Sequence, residues 1–329
     1  MPTIQPDSSP VVVLTGASSG IGRATALALA QQGARLVLAA RGLDGLDSVA
    51  TSCRSIGAQV LTRSTDVAQA DQVAALAAAA IDEFGHIDVW INNAGVGAVG
   101  HFEQTPLDAH HRVIQVNLLG ELNGAYAVLP HFRARRRGIL INMVSLGGWV
   151  AAPYAAAYTA SKFGLRGFSE SLRAELHDLP DVHVCAVYPT FVDTPGFSHG
   201  ANFMGKHLKP PPPLLDAREV ADVIADLVRK PRPTVSVGSV ATPVRALHAV
   251  APDLLARTSH RVADRAFQQA EPVQQTTGNL FDASIGSAID GGHRRPQGHV
   301  GVAIRLALGA VAVLAVVAAT QAVRRGEHA

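Results

Sequence analysis

"VVVLTGASSGIGRATALALAQQG", residues 11–33, is the most informative stretch of the chain. An apolar run rich in valine ends at Thr15. Glycines follow at 16, 20 and 22, and an Ala/Leu-rich helical pattern stops at Gly33. The order is strand, glycine turn, helix. Glycine permits the sharp turn and lets a phosphate approach the backbone, while the helix N-terminus offers free N–H groups and a partial positive charge. Three glycines alone are a weak signal. In this setting Gly16, Gly20 and Gly22 predict a dinucleotide site.

The same alternation continues along the chain. "ARLVLAAR", "AQVLTRSTDV", "IDVWINNAG", "GILINMVS", "VHVCAVYPT" and "PTVSVG" read as strands. Helical patterns separate them, over roughly 69–85, 109–134 and 155–178 and in "DAREVADVIADLVRK". In that last pattern Asp216 and Glu219 are spaced as a capping pair. Strands alternating with helices predict an α/β fold, a Rossmann-like doubly wound parallel sheet of about seven strands. Such strands are buried on both faces, which accounts for their continuous Val/Ile/Leu character. The reading gives a lead-in over 1–9, a catalytic domain over 10–255, and a helical extension and linker over 256–299.

Composition narrows the function classes. The chain has 329 residues, 48% of them hydrophobic, so a large core can be buried. The formal net charge of +2 lacks the basic footprint of a nucleic-acid binder. "RARRRG", 133–138, reads as the basic last turn of a helix, where it complements the macrodipole. Fourteen histidines show no His-Glu-x-x-His pairing, and no metal site is expected. The two cysteines, Cys53 and Cys185, suggest a reduced compartment and not a disulfide framework.

The C-terminus differs in character. Residues 306–323 are 18 consecutive uncharged residues, and a bilayer span needs roughly 17–25. We read 300–323 as a membrane helix that anchors a cytoplasmic catalytic domain; an Ala-rich helix packed on that domain is the competing reading. Arginines stand on both sides, so charge bias leaves the orientation open.

The second strand ends "LAAR". An NAD-preferring site places a carboxylate there for the ribose hydroxyls, but Ala40 supplies none. Arg41 is suited to a 2′-phosphate, which points to NADP over NAD. Arg23 adds to the same field.

"AAPYAAAYTASKFGL", 151–165, contains two tyrosines and a lysine. Hydride transfer to a ketone needs a proton for the developing alkoxide. A free tyrosine has a pKa of about 10, too high to shuttle protons readily at neutral pH, and a nearby ammonium favours the phenolate. Four residues on a helix span roughly 6 Å. Tyr158 and Lys162 meet that requirement, whereas Tyr154 lies roughly 12 Å from Lys162 along the axis. On this reading Tyr154 sits one turn earlier on the same face and lines the substrate pocket. Ser145 ends the preceding strand, at the carboxyl edge where such folds bind ligands.

Taken together, "TGASSGIG", "NNAG" (92–95), Asn117 in "VNLLG", Ser145 and "YTASK" (158–162) resemble the short-chain dehydrogenase/reductase family over roughly 10–255. The resemblance implies that Gly16, Ser18, Ser19, Gly20, Ile21 and Gly22 line the pyrophosphate and ribose and that Arg41 selects the 2′-phosphate. It implies that Asp66 and Val67 meet the adenine and that Asn93, Ala94 and Gly95 flank the adenosine. Asn117 would hold the water of a proton relay, and Ser145, Tyr158 and Lys162 would do the chemistry. Where the family usually has Pro-Gly, this chain has Pro189-Thr190. The following Val192 and Thr194 match, and would contact the nicotinamide amide and a phosphate.

In such folds the loop over 195–213 sets specificity. Here it carries Phe197, Phe203 and Met204 and no acidic residue, which fits an apolar, mobile lid and a lipophilic carbonyl or alcohol substrate. Relatives usually assemble through the long helices, so a homo-oligomer is expected. A non-catalytic NADP(H) sensor or membrane-tethered scaffold is the alternative. Such proteins typically lose the tyrosine or the lysine, and this chain keeps both.

Overall fold

The computed structural model describes residues 9–284 and 286–294. Seven strands form one parallel sheet: β1 (Val11–Thr15), β2 (Arg35–Ala40), β3 (Val60–Ser64), β4 (Val89–Asn92), β6 (Gly138–Met143), β7 (Val182–Pro189) and β11 (Thr234–Val237). Their spatial order is β11-β7-β6-β4-β1-β2-β3. Order reverses at β1, so β1 and β4 flank the crevice where a doubly wound sheet binds its ligand. Two short parallel pairs lie apart from this sheet. One joins β5 (Ala98–Val99) to β9 (Ala201–Asn202), the other β8 (Val192–Asp193) to β10 (Leu215–Asp216).

The helices are α1 (Gly20–Gln31), α2 (Leu43–Ser55), α3 (Ala70–Phe84), α4 (Leu107–Ile114), α5 (Gly120–Arg135), α6 (Ala156–Glu175), α7 (Gly196–His199), α8 (Ala217–Arg229), α9 (Ala241–Val250) and α10 (Pro252–Gln269). Successive strand residues point to opposite faces. Val12 and Leu14 therefore enter one apolar cluster, with Leu29 of α1 and Val220, Ile224 and Leu227 of α8. Val13 enters the other, with Val73 and Leu76 of α3 and Val128 and Phe132 of α5. Both faces are covered, which is why the strands are apolar throughout.

The capping pair forms as the sequence predicts. The Asp216 carboxylate accepts from the Arg218 amide, and Glu219 accepts from the Asp216 amide. The basic "RARRRG" turn is used in ion pairs: Arg133 with Glu175, and Arg135 and Arg137 with the buried Asp88. The predicted helix over 109–134 consists of α4 and α5 joined by a π-helical turn, Gln115–Leu119.

Two expectations change. Of the stretch over 271–299, read from composition as a linker, residues 271–284 and 286–294 are laid on the body of the fold. Leu280 is fully buried, and the Asn202 and Thr276 backbones exchange hydrogen bonds. The specificity loop is likewise pinned and is no free lid, because β9 pairs with β5 and Phe203 is buried. No helix among the described residues is long and apolar enough to cross a membrane; the expected anchor over 300–323 lies outside them.

Candidate active site

The glycine loop closes against the end of β4. Gly16 has a φ of +65°. A Cβ at Gly22 would collide with the Gly16 carbonyl, so helix α1 starts directly under the turn. The second Asn of "NNAG" holds this geometry. Asn93 donates through Nδ2 to the carbonyls of Thr15 (3.0 Å) and Gly16 (3.1 Å). The Thr15 hydroxyl accepts from the amides of Asn93 and Ala94 at 3.0 and 3.2 Å. Gly95 lies beside Asn117.

The first Asn of that motif, Asn92, has a different task that the sequence did not reveal. Its Nδ2 donates to Asn142 Oδ1 and to the Glu121 carbonyl, both at 3.0 Å, while its Oδ1 accepts from Trp90 Nε1 at 2.7 Å. Asn142 passes the chain on to Ser169 of α6 at 3.0 Å. The network is buried and satisfied, and it ties β4, β6, α5 and α6 together below the site.

Helix α6 carries Tyr158 and Lys162. The Lys162 Nζ stands 6.0 Å from the Tyr158 ring centre and donates to the Met143 carbonyl at 2.7 Å. Ser145 follows β6 with a φ of +94°, a position few non-glycine residues adopt, and its Oγ accepts from the Gly147 amide. A Cβ at Gly147 would lie 3.1 Å from Tyr158 Cε1 and 3.6 Å from Ser145 Oγ. Ser145 Oγ and the Tyr158 ring therefore both border Gly147.

Asn117 sits in the π-helical turn. Its Oδ1 accepts from the Val96 amide (2.8 Å), and its Nδ2 donates to the Val96 carbonyl (2.9 Å) and to Ser161 Oγ (3.3 Å). Ser161 in turn donates to the Tyr158 carbonyl at 2.6 Å. Asn117 is thereby linked to the backbone of the tyrosine's own turn.

Sequence reasoning missed Glu121. It is buried, and its Oε1 accepts from Lys162 Nζ at 3.4 Å. Burial, opposed by Lys162, pushes its carboxyl up to about 8. Its helical position, facing a lysine more than forty residues away, left no local signal.

Tyr154 is not where helix spacing put it. Helix α6 begins at Ala156, and Tyr154 lies in the turn before it with a φ of +62°. Its ring meets His101, Phe267 and His260, and its hydroxyl is 3.3 Å from His260 Nδ1. It joins the front loop to α10 instead of sharing the face of Tyr158.

At the far end, Arg41 and Arg112 converge. Arg41 donates to the carbonyls of Asn279 (2.6 Å) and Leu280 (3.0 Å), and Arg112 Nε donates to the same Leu280 carbonyl at 2.8 Å. Arg112 also pairs with Asp66 at 2.6 Å. Burial, and then the charge of Arg112, lowers the Arg41 pKa. Val67 is buried beside them.

Near the glycine loop, Thr194 Cβ would be 3.2 Å from a Cβ at Gly20. Pro189 ends β7, and Val192 is buried in the core cluster. Phe197, on α7, stands 6.4 Å from Phe191 and 6.5 Å from His293. Among the described residues no group of three or more His, Cys, Asp or Glu side chains is placed to hold a metal ion.

The short chain dehydrogenase family model matches residues 10–201. The chain is 31% identical over 288 residues to the uncharacterized oxidoreductase YxnA of Bacillus subtilis, covering 84% of this chain and 79% of that protein. It is 40% identical over 185 residues to the putative oxidoreductase SadH of Mycobacterium tuberculosis, covering 56% and 67%. An actinorhodin polyketide ketoreductase with NADPH superposes at a TM-score of 0.64 and 29% identity, over 70% of this chain and 95% of that one. A short-chain dehydrogenase/reductase from Burkholderia phymatum in complex with NAD superposes at 0.65 and 26% identity, over 83% and 99%. The chain belongs to the short-chain dehydrogenase family and is an oxidoreductase of CH–OH groups.

Proposed function

We propose that the chain interconverts a lipophilic ketone or aldehyde and its alcohol, with NADP(H) as hydride partner and Tyr158 as general acid/base. The convergence of Ser145 and Tyr158 beside Gly147, with the Lys162 ammonium 6.0 Å from the tyrosine ring, carries this reading. Ser145 Oγ–H holds the substrate oxygen by a hydrogen bond. The Tyr158 hydroxyl gives that oxygen a proton in reduction and takes it back in oxidation. Positioned proton transfer of this kind contributes roughly 10²–10⁴-fold in rate. Lys162 fixes a positive charge beside the phenol, and Asn117 holds the turn that presents it.

A bound nicotinamide dinucleotide supplies the hydride acceptor or donor. Gly16, Ser18, Ser19, Gly20, Ile21, Gly22, Asn93, Ala94, Gly95, Val192 and Thr194 would hold it along the glycine loop, with Asp66 and Val67 at the adenine. The preference for NADP rests on Arg41 and Arg112. Two guanidinium groups share one neutral carbonyl oxygen, a donor set that suits an anion such as a 2′-phosphate better.

The lipophilic substrate class rests on Phe191, Phe197 and Phe203 around the specificity loop. A homo-oligomer through α5 and α6 is supported by the exposed Tyr126 and Phe163 on those helices. Attachment to a membrane through 300–323 completes the reading. Full solubility without detergent on fractionation of the whole chain would count against that part. The test of function is a carbonyl panel of ketosteroid, retinal, medium-chain and small polar compounds with NADPH and NADH. Turnover of the apolar members with NADPH is expected; turnover confined to small polar compounds would sink the substrate class.

A further inference from the structure

The segment read as a linker follows the track of the predicted cofactor site. From Glu271 to Thr276 it runs against the specificity loop. The Asn202 and Thr276 backbones exchange hydrogen bonds, the Val273 amide donates to the Gly205 carbonyl, and the His207 amide donates to the Glu271 carbonyl. At 279 and 280 its carbonyls take up Arg41 and Arg112. Leu280, fully buried, joins the cluster that contains Ala39 and Val67. The Ala288 carbonyl accepts the amide of Gly20 at 2.9 Å. Gly291 then lies so close to Thr194 that a Cβ would strike its carbonyl. The segment thus visits the positions assigned to the 2′-phosphate and the adenine at 279 and 280, and that of the pyrophosphate at 288.

We propose that residues 276–284 and 286–294 are an intramolecular ligand of the dinucleotide cleft, which the cofactor must displace. The proposal rests on the cofactor reading above. Backbone carbonyls stand here where phosphate oxygens would accept. The Gly20 amide has a single hydrogen and cannot serve both. Leu280 and an adenine ring are alternatives for the same apolar surface. The end of the strap is held by charged anchors. Arg218 pairs in a bidentate fork with Asp290 on the surface, at side-chain exposures of 51% and 42%. Arg294 is tied to Asp193 and Asp216, and the Asp193 carboxylate accepts the amides of His293 and Arg294. Cofactor affinity is then reduced by the fraction of chains with the strap lifted.

The Ser48 and Ser287 hydroxyls lie 3.2 Å apart, one on α2 and one on the strap. A full-length Ser48→Cys/Ser287→Cys chain therefore suits a disulfide lock. The two native thiols are buried and pushed up to about 11 (Cys53) and about 12 (Cys185), which keeps them out of the exchange. NADPH binding is followed by fluorescence titration. The reduced chain should bind, and the oxidised chain should bind at least tenfold more weakly, with wild type unaffected by the oxidant. As a second readout, NADPH should speed tryptic cleavage after Arg294 in the reduced chain. Leu280→Asp, which places a charge in the apolar seat, should tighten NADPH binding about tenfold. Equal affinity in oxidised and reduced chains would overturn the proposal, as would protection of Arg294 by NADPH, because the strap would then lie over the cofactor. Failure of wild type and the reduced chain alike to bind NADPH would instead overturn the cofactor reading, and the proposal with it.

Discussion

Lys162 Nζ stands 3.4 Å from Glu121 Oε1, in a place where neither side chain reaches solvent. The second Glu121 oxygen has no hydrogen-bond partner among the described residues. Burial raises this carboxyl from its ordinary 4.5 to about 8. Between those values the folded chain keeps a proton that the unfolded chain gives up. Stability from this group is therefore complete below about pH 4.5 and is lost as pH rises through about 8. Glu121→Gln should flatten that dependence: the fall in Tm from pH 5 to pH 8 should shrink by several degrees. A fall as large as in wild type would show that Glu121 does not titrate in this window.

Asp88 closes the opposite end of the sheet. It is buried and accepts from the Val11 amide at 3.0 Å, with His86, Arg135 and Arg137 on its carboxylate. Removing the carboxylate leaves the buried Val11 amide without its acceptor, a loss of about 1–3 kcal/mol, while Arg135 and Arg137 still reach solvent. Asp88→Ala should cost about that much in urea unfolding. Asp88→Asn, which still offers an oxygen to Val11, should cost less. Equal stability of Asp88→Ala and wild type would contradict this account of the cluster.

The proposed choice of NADP over NAD rests on Arg41. Charge-assisted hydrogen bonds contribute about 1.5–3 kcal/mol, roughly tenfold or more in affinity. Arg41→Ala should lower the ratio of NADPH to NADH affinity by that factor. The ratio is the proper readout, because loss of the strap contact affects both cofactors alike. An unchanged ratio would remove Arg41 from cofactor choice.

Tyr154 is expected to be silent in the chemistry. With its ring against His101, His260 and Phe267, Tyr154→Phe should leave kcat within about twofold, since an exposed hydrogen bond contributes only roughly 0.5–1.5 kcal/mol to stability. A loss of rate comparable to that of Tyr158→Phe would return Tyr154 to the reacting centre.

Local signals in the sequence were strong where one element carries the whole message. The strand–turn–helix at 11–33 and the four-residue spacing of Tyr158 and Lys162 are of this kind. Tyr154 was misplaced because helical spacing was extended past the helix start. Pro153, directly before it, was the sign that a turn intervenes. Glu121, Asn92 and Asp88 act through partners brought near only by the fold, so no spacing announced them. The strap was hidden for a different reason. It docks largely through backbone carbonyls and amides, which leave no trace in side-chain composition, and a Gln/Gly/Thr-rich stretch therefore reads as linker. Leu280, Phe281 and Ile289 were its scattered apolar hints.

The central claim is that the Tyr158 hydroxyl carries the proton. Single-turnover reduction of an active carbonyl by NADPH, compared between wild type and Tyr158→Phe, tests it most directly. NADPH affinity is measured in parallel. The account predicts a rate lower by roughly 10²–10⁴ with cofactor affinity retained. A Tyr158→Phe chain that binds NADPH and reduces the carbonyl at the wild-type rate would contradict it.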